Sequence, residues 1–169
     1  VPVGVMTKGI AWVEVDQTVT ADDSVYARHC STQQVQTIVF SADLITSNSV
    51  ACVVNGTALS ATVYATSNAA TLAALAAKIA LETDILSAVS DGSHTITVTS
   101  KTAVLAITGV IVTLGVSQAT AVVTTTTAGV EGEQGIFRKD SDSNKASAVS
   151  NARFLTSASS GGLAQVELY

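Results

Sequence analysis

Three close pairs of acidic residues are candidates for chemistry: Asp22 with Asp23, Glu131 with Glu133, and Asp140 with Asp142. Paired carboxylates are the groups that general acid–base catalysis and calcium binding require. All three pairs stand in short polar segments, where acidic residues commonly form solvated turns. The segment "DSDSN" also lacks the glycine and the terminal glutamate of a calcium loop. The sequence therefore favours turns over catalytic or calcium-binding sites.

The histidines and cysteines give no stronger signal of chemistry. His29 precedes Cys30, and adjacent residues of a strand point to opposite faces, so the pair does not converge on one metal ion. His94 has no acid or nucleophile at a recognisable spacing. Cys30 and Cys52 allow one disulfide at most, and two small buried hydrophobic side chains are the favoured interpretation. We predict no catalytic residue, no metal and no cofactor, and a protein that is not an enzyme.

Composition limits the possible partners. The 169 residues are 47% hydrophobic and only 12% charged, with a mean hydropathy of +0.45, so the surface is expected to be rich in Ala, Thr, Ser and Val. A net charge of -5 and eight scattered basic residues argue against nucleic-acid binding. No apolar run predicts a transmembrane helix and no signal peptide is recognised. The chain opens on Val1, from which we expect processing or an absent leading segment.

Most elements are predicted to be strands. "GIAWVEV" and "SVYAR" alternate apolar and polar residues and predict two antiparallel strands near the start. "VACVVNGTALSATVYA" predicts a hairpin, because Asn55 and Gly56 both tolerate the positive φ of a type I′ turn. After Gly129 we predict a short strand at 135–138, a polar loop at 140–145 and a closing hairpin of 153–157 with 163–168, which Gly161 and Gly162 reverse.

One segment predicts a helix. In "TSNAATLAALAAKIALETDI", Ser67 or Asn68 can cap the first turn, and an apolar stripe follows at helical spacing: Leu72, Leu75, Ala76 and Ile79. The strands "HTITVTS", "VLAITGVIVTL" and "QATAVVTTTT" are expected to form the sheet that the stripe covers.

These elements predict a mainly β protein in two parts. The first, here called the terminal unit, is a small β-barrel-like frame built from both chain ends, residues 1–30 plus 129–169. The second, the central unit, is an α+β module at 31–128 that contains one Ala-rich helix and is inserted at a loop of the first.

Four segments of the terminal unit resemble the structural cement, or head decoration, proteins of tailed bacteriophages. That family shows a Gly-x-x-Trp-Val strand, a Val-Tyr-x-Arg strand, a Gly-x-Phe-Arg segment and a last strand after Thr-Ser and Gly-Gly. Here these patterns are at 9–13, 25–28, 135–138 and 156–168. The central unit resembles instead small modules with "NGT" and an Ala-rich helix that recur in phage structural proteins.

The resemblance implies a non-enzymatic virion protein, made in the host cytoplasm, that binds the outer surface of the capsid and stabilises contacts among major capsid protein subunits. It also implies a homo-oligomer. The charge-poor composition favours a trimer over a dimer, and charge and hydropathy predict neither nucleic acid nor membrane as a partner. Two alternatives stay open: a phage tail or baseplate component, and a secreted adhesion or carbohydrate-binding module.

The candidate capsid or protomer contacts are Trp12, Arg28, Arg138 and Arg153. Trp12 is either an interface anchor or, in the favoured interpretation, a core or seam residue of the barrel. The arginines stand next to apolar strands, where each could pair with carboxylates of another chain or lie solvated. If they pair in that way, truncating Arg138 or Arg153 weakens binding without lowering the melting temperature. Lys78, on the presumed solvent face of the helix, is the neutral control.

Overall fold

The computed structural model describes residues 8–113 and 119–169, which form a mainly β protein with one helix, as predicted. In chain order the elements are β1 (Gly9–Glu14), β2 (Ser24–Arg28), β3 (Val35–Phe40), β4 (Ser49–Val54), β5 (Thr57–Ala58), β6 (Thr62–Val63), α1 (Asn68–Ala80), β7 (Ile85–Ser90), β8 (Thr95–Ser100), β9 (Ile107–Thr113), β10 (Ala121–Thr127), β11 (Phe137–Arg138), β12 (Ala146–Phe154) and β13 (Leu163–Leu168). Some of the predictions concern residues outside the described ranges: Val1, Leu114 and Gln118.

The chain divides into two compact units. The terminal unit combines the residues up to Ser31 with Glu131–Tyr169, and the central unit is Thr32–Val130. The sequence analysis had placed these boundaries after residues 30 and 128.

The terminal unit is one five-stranded sheet in the order β1-β13-β12-β2-β11. The expected pairing of "GIAWVEV" with "SVYAR" is wrong, because β12 and β13 lie between β1 and β2. A parallel bridge from Val15 to Phe137 brings the two ends of the sheet together, which gives the unit its barrel-like form. The buried core of this sheet is small and apolar: Val15, Val19, Val25, Phe154, Ala164 and Val166.

The closing hairpin begins earlier than predicted. β12 starts at Ala146, directly after the polar loop, and ends at Phe154 instead of residue 157. It pairs with β13 along one edge and with β2 along the other, and its register against β2 shifts between Ala148 and Arg153. Gly161 has a φ of 76°, as the tight reversal before β13 requires.

The central unit contains two further sheets. One has the order β10-β3-β8-β7, and in the other β4 pairs with β5, β6 and β9. The predicted turn is confirmed, since Asn55 and Gly56 have φ of 47° and 83° between β4 and β5.

Helix α1 is also confirmed, with Ser67 as its N-cap: Ser67 Oγ accepts a hydrogen bond from Ala70 N at 3.1 Å. The predicted stripe is buried, and the helix packs on β7, β8 and β6. The prediction that β8, β9 and β10 form the sheet under the helix was only partly right. β9 belongs to the other sheet, and β7 was not predicted.

Candidate functional site

Arg28 is the centre of an ion network inside the terminal unit. Its Nε and Nη2 each lie 2.7 Å from Asp16 Oδ2, while Nη2 is 2.8 Å from Asp142 and Nη1 is 3.2 Å from Glu133. The Arg28 side chain is only 8% exposed. A buried guanidinium needs this number of acceptors, because an unpaired charge is costly to remove from water.

Arg138 completes the same network from β11. Its Nη1 lies 3.1 Å from both Asp16 and Asp142, and its Nε donates to Asp140 at 3.0 Å. Lys145 approaches Asp142 at 3.9 Å. Two arginines therefore share the carboxylates of Asp16 and Asp142, and both have their charges compensated within their own chain.

The loop before β12 supplies the acids because of its backbone conformation. Asp142, Ser143 and Asn144 have φ of 43°, 55° and 68°, in the left-handed region that Asp and Asn adopt more readily than most residues. Asp140 Oδ1 accepts a hydrogen bond from Asp142 N at 3.0 Å, which fixes the turn. The pair Asp140 and Asp142 thus forms a turn, as predicted, and also binds arginine, which the sequence analysis did not foresee.

The network changes the protonation behaviour of its members. Burial lowers the pKa of Arg28, but the hydrogen bond and charge of Asp16, with the charges of Asp142 and Glu133, outweigh it and raise the pKa overall. Slight burial raises the pKa of Asp140, but hydrogen bonds from Gln17 and from the Asp142 amide, with Arg138, lower it overall. Arg28 therefore stays protonated and Asp140 stays ionised at neutral pH.

His29 adjoins the network without joining it. Burial and the positive charge of Arg28 lower the pKa of its imidazole. Within the described residues no three His, Cys, Asp or Glu side chains are arranged to hold a metal ion. Cys30 and Cys52 are both buried, and burial raises the pKa of each thiol, so neither resembles an activated nucleophile.

Trp12 lies on the outer face of β1, where 62% of its surface is exposed. The favoured interpretation of Trp12 as a core residue is therefore wrong. Ile10, two residues earlier on the same face, is 57% exposed, whereas Val13 packs against the core. Two large apolar side chains next to each other at the end of a sheet are what a protein interface uses as anchors.

Arg153 differs from the other two arginines. Its side chain is 47% exposed, and it pairs with Glu167 at 3.0 Å and Asp22 at 3.3 Å on the outer face of the sheet. The hydrogen bond and charge of Glu167 raise the pKa of Arg153. Of the three arginines proposed as contacts, Arg153 alone has a substantially exposed side chain.

The control residue Lys78 is engaged as well. Its Nζ donates hydrogen bonds to the carbonyl oxygens of Ser60 and Ala61, at 3.1 and 2.9 Å. The side chain therefore joins α1 to the segment before β6. A charge reversal at this position would remove both hydrogen bonds, so Lys78 is not a suitable neutral control.

Within the described residues, one contact chain resembles a hydrolase triad. Ser93 Oγ lies 3.1 Å from His94 Nδ1, and His94 Nε2 lies 2.9 Å from Asp43 Oδ1. His94 is 40% and Asp43 68% exposed, whereas a catalytic triad buries its acid in order to orient the imidazole. This arrangement fits exposed polar contacts at a turn and supports no hydrolase.

No helix in the described part of the chain is long and apolar enough to cross a membrane. No protein-family model matches the sequence, and no curated protein or solved structure is similar enough to count as a match.

Proposed function

We propose that this chain is a non-enzymatic virion protein, a capsid cement or decoration protein that binds the outside of a phage head. Its partners in this proposal are subunits of the major capsid protein and further copies of itself. The resemblance of the terminal unit supports this function and implies a homo-oligomer. The protein would stabilise the shell by linking subunits, without any chemical step.

The single observation that carries the proposal is the exposure of Trp12 and Ile10 on the unit that resembles cement proteins. A large apolar side chain on the outer face of a small sheet gains little from folding and much from being covered by a partner. The low charge of the whole chain, 12%, fits a surface that is extensively covered in an assembly.

The test is binding to phage heads that lack the protein. We expect the chain to sediment with the heads and to raise the temperature at which they open. Trp12→Ala is expected to weaken binding at least about tenfold, since interface tryptophans commonly carry that much free energy. Val63→Ala is the matched control, because Val63 is also a highly exposed apolar residue but lies in the central unit.

Two results would contradict the proposal. One is failure to bind heads of the phage that encodes the chain. The other is saturable binding of a polysaccharide by the chain, with loss of that binding in Trp12→Ala, which would favour the carbohydrate-binding alternative.

A further inference from the structure

β1 is the end strand of its sheet and has an unpaired edge. Among the described residues it pairs only with β13, from Gly9 with Leu168 to Glu14 with Leu163. The contact with the other end of the sheet begins beyond β1, at Val15 and Asp16. An edge of this kind presents backbone N–H and C=O groups that can pair with another strand.

Charge and hydrophobicity are ordered along this strand. Lys8, Ile10, Trp12 and Glu14 follow each other at a spacing of two residues, and all four are exposed. The spacing of two is the repeat of one face of a strand. A cation therefore stands at one end, an anion at the other, and two large apolar residues between them.

This order is complementary to itself in reverse. An antiparallel copy of the same strand places its anion opposite the cation and its tryptophan opposite the isoleucine. We infer that two copies of the chain associate through their β1 edges, as antiparallel strands related by a two-fold axis at Ala11. Ile10 of each copy then lies opposite Trp12 of the other, and Lys8 opposite Glu14.

Register follows from the same pattern. Residues directly opposite each other in an antiparallel pair have their side chains on the same face. The two-fold axis therefore lies between the two copies of one residue, and moving it by one residue changes the pairing by two positions. An axis at Trp12 would place Ile10 opposite Glu14, and Lys8 opposite Asp16, whose carboxylate is only 13% exposed and already binds Arg28 and Arg138. The axis at Ala11 forms two opposite-charge pairs and two apolar pairs, each of which stabilises a sheet.

The charges of β1 are complementary to those of an antiparallel copy of β1. For this reason the partner is a second copy of the chain. A contact of this kind is isologous and closed, and it gives a dimer, whereas the low charge of the composition favoured a trimer. Self-association and binding to heads are measured separately, so failure of one inference leaves the other standing.

Charge reversal tests the pairing and its register. Lys8→Glu places two acids opposite each other at both ends of the contact, and Glu14→Lys places two lysines there. We expect each variant alone to raise the dimer dissociation constant about tenfold or more, because two pairs change from attraction to repulsion. An equal mixture of the two variants restores opposite charges at both ends, so we expect the mixed dimer to form as tightly as the wild type.

Sedimentation velocity over a concentration series measures the wild type and the single variants, and native mass spectrometry with one variant isotope-labelled measures the mixture. Lys139→Glu and Glu131→Lys make the same charge changes at exposed positions outside β1 and are expected to leave dimerisation unchanged. A wild type that stays monomeric or forms trimers at tens of micromolar overturns the inference. Unaffected single variants, or a mixture that does not recover, overturn it as well.

Discussion

At the scale of single residues, burial decides what the three arginines do. Arg28 and Arg138 expose only 8% and 11% of their side chains and share Asp16 and Asp142, whereas Arg153 is 47% exposed. An exposed ion pair contributes little to stability because water and salt screen it. Removing one member of a buried network leaves the others uncompensated, which costs far more. Arg28 and Arg138 therefore serve the fold, and only Arg153 is available to a partner.

The first prediction compares these arginines by truncation. Arg28→Ala is expected to lower the free energy of unfolding of the terminal unit by about 3–5 kcal/mol, since Asp16 and Asp142 lose a buried cation. Arg153→Ala is expected to change it by no more than about 1 kcal/mol. Urea unfolding followed by the fluorescence of Trp12, the only tryptophan of the chain, reports on this unit.

Arg138→Ala is expected to behave as Arg28→Ala does. This expected loss of stability differs from the expectation from sequence, which was that truncating Arg138 leaves the melting temperature unchanged. Equal stability of all three variants would show that the network contributes nothing, and would return Arg28 and Arg138 to the candidate contacts.

The sequence alone could not show this network. Asp140 and Asp142 were recognisable as turn residues, because that property depends on their neighbours in the chain. The ionic role of Asp142 depends on Arg28, which is more than one hundred residues away, and the network also depends on Asp16, which no local pattern singles out. Trp12 was misjudged for a related reason: alternation identifies the two faces of a strand but does not say which of them is covered.

At the scale of elements, the predictions that succeeded were also local. The Asn55–Gly56 turn requires two positive φ values in succession, and few residue pairs tolerate them. The helix begins at Ser67 because a serine side chain can accept a backbone hydrogen bond that the first turn leaves open. Strand partners could not be predicted in this way, since pairing of β1 with β13 joins the two ends of the chain.

The second prediction concerns the packing of α1. Leu75 is 1% exposed in the core of the central unit, whereas Leu81, just beyond the helix, is 85% exposed. Leu75→Ala is expected to lower the free energy of unfolding by about 2–5 kcal/mol, because it removes buried methyl groups and leaves a cavity. Leu81→Ala is the matched control, with an expected change below about 0.5 kcal/mol. Scanning calorimetry of both variants makes the comparison, and similar losses would contradict the burial of this helix face.

At the scale of the whole molecule, the chain enters and leaves the central unit at one place. Thr32 and Val130 form an isolated bridge in which each residue donates a backbone hydrogen bond to the other, at 3.2 and 2.9 Å. Two adjacent ends are the condition under which one domain can be inserted into a loop of another. Among the described residues, the core of the terminal unit also consists only of residues from that unit.

The last prediction follows from these two observations. Replacing Thr32–Val130 by a short Gly/Ser linker is expected to leave a folded terminal unit, because the linker spans a gap that the bridge already keeps short and the core of the unit loses no residue. Well-dispersed amide signals in NMR, and retained binding to phage heads, are the expected results.

A longer excision of residues 32–138 is the matched control for this experiment. It also removes Phe137, whose bridge to Val15 joins the ends of the sheet, and Arg138 of the ion network. We expect that variant not to fold, since the barrel-like sheet loses its fifth strand and leaves Asp16 and Asp142 with fewer cations. If the shorter excision also fails to fold, the terminal unit depends on the central unit for stability. If it folds but no longer binds heads, the shell contact belongs to the central unit instead of the face around Trp12.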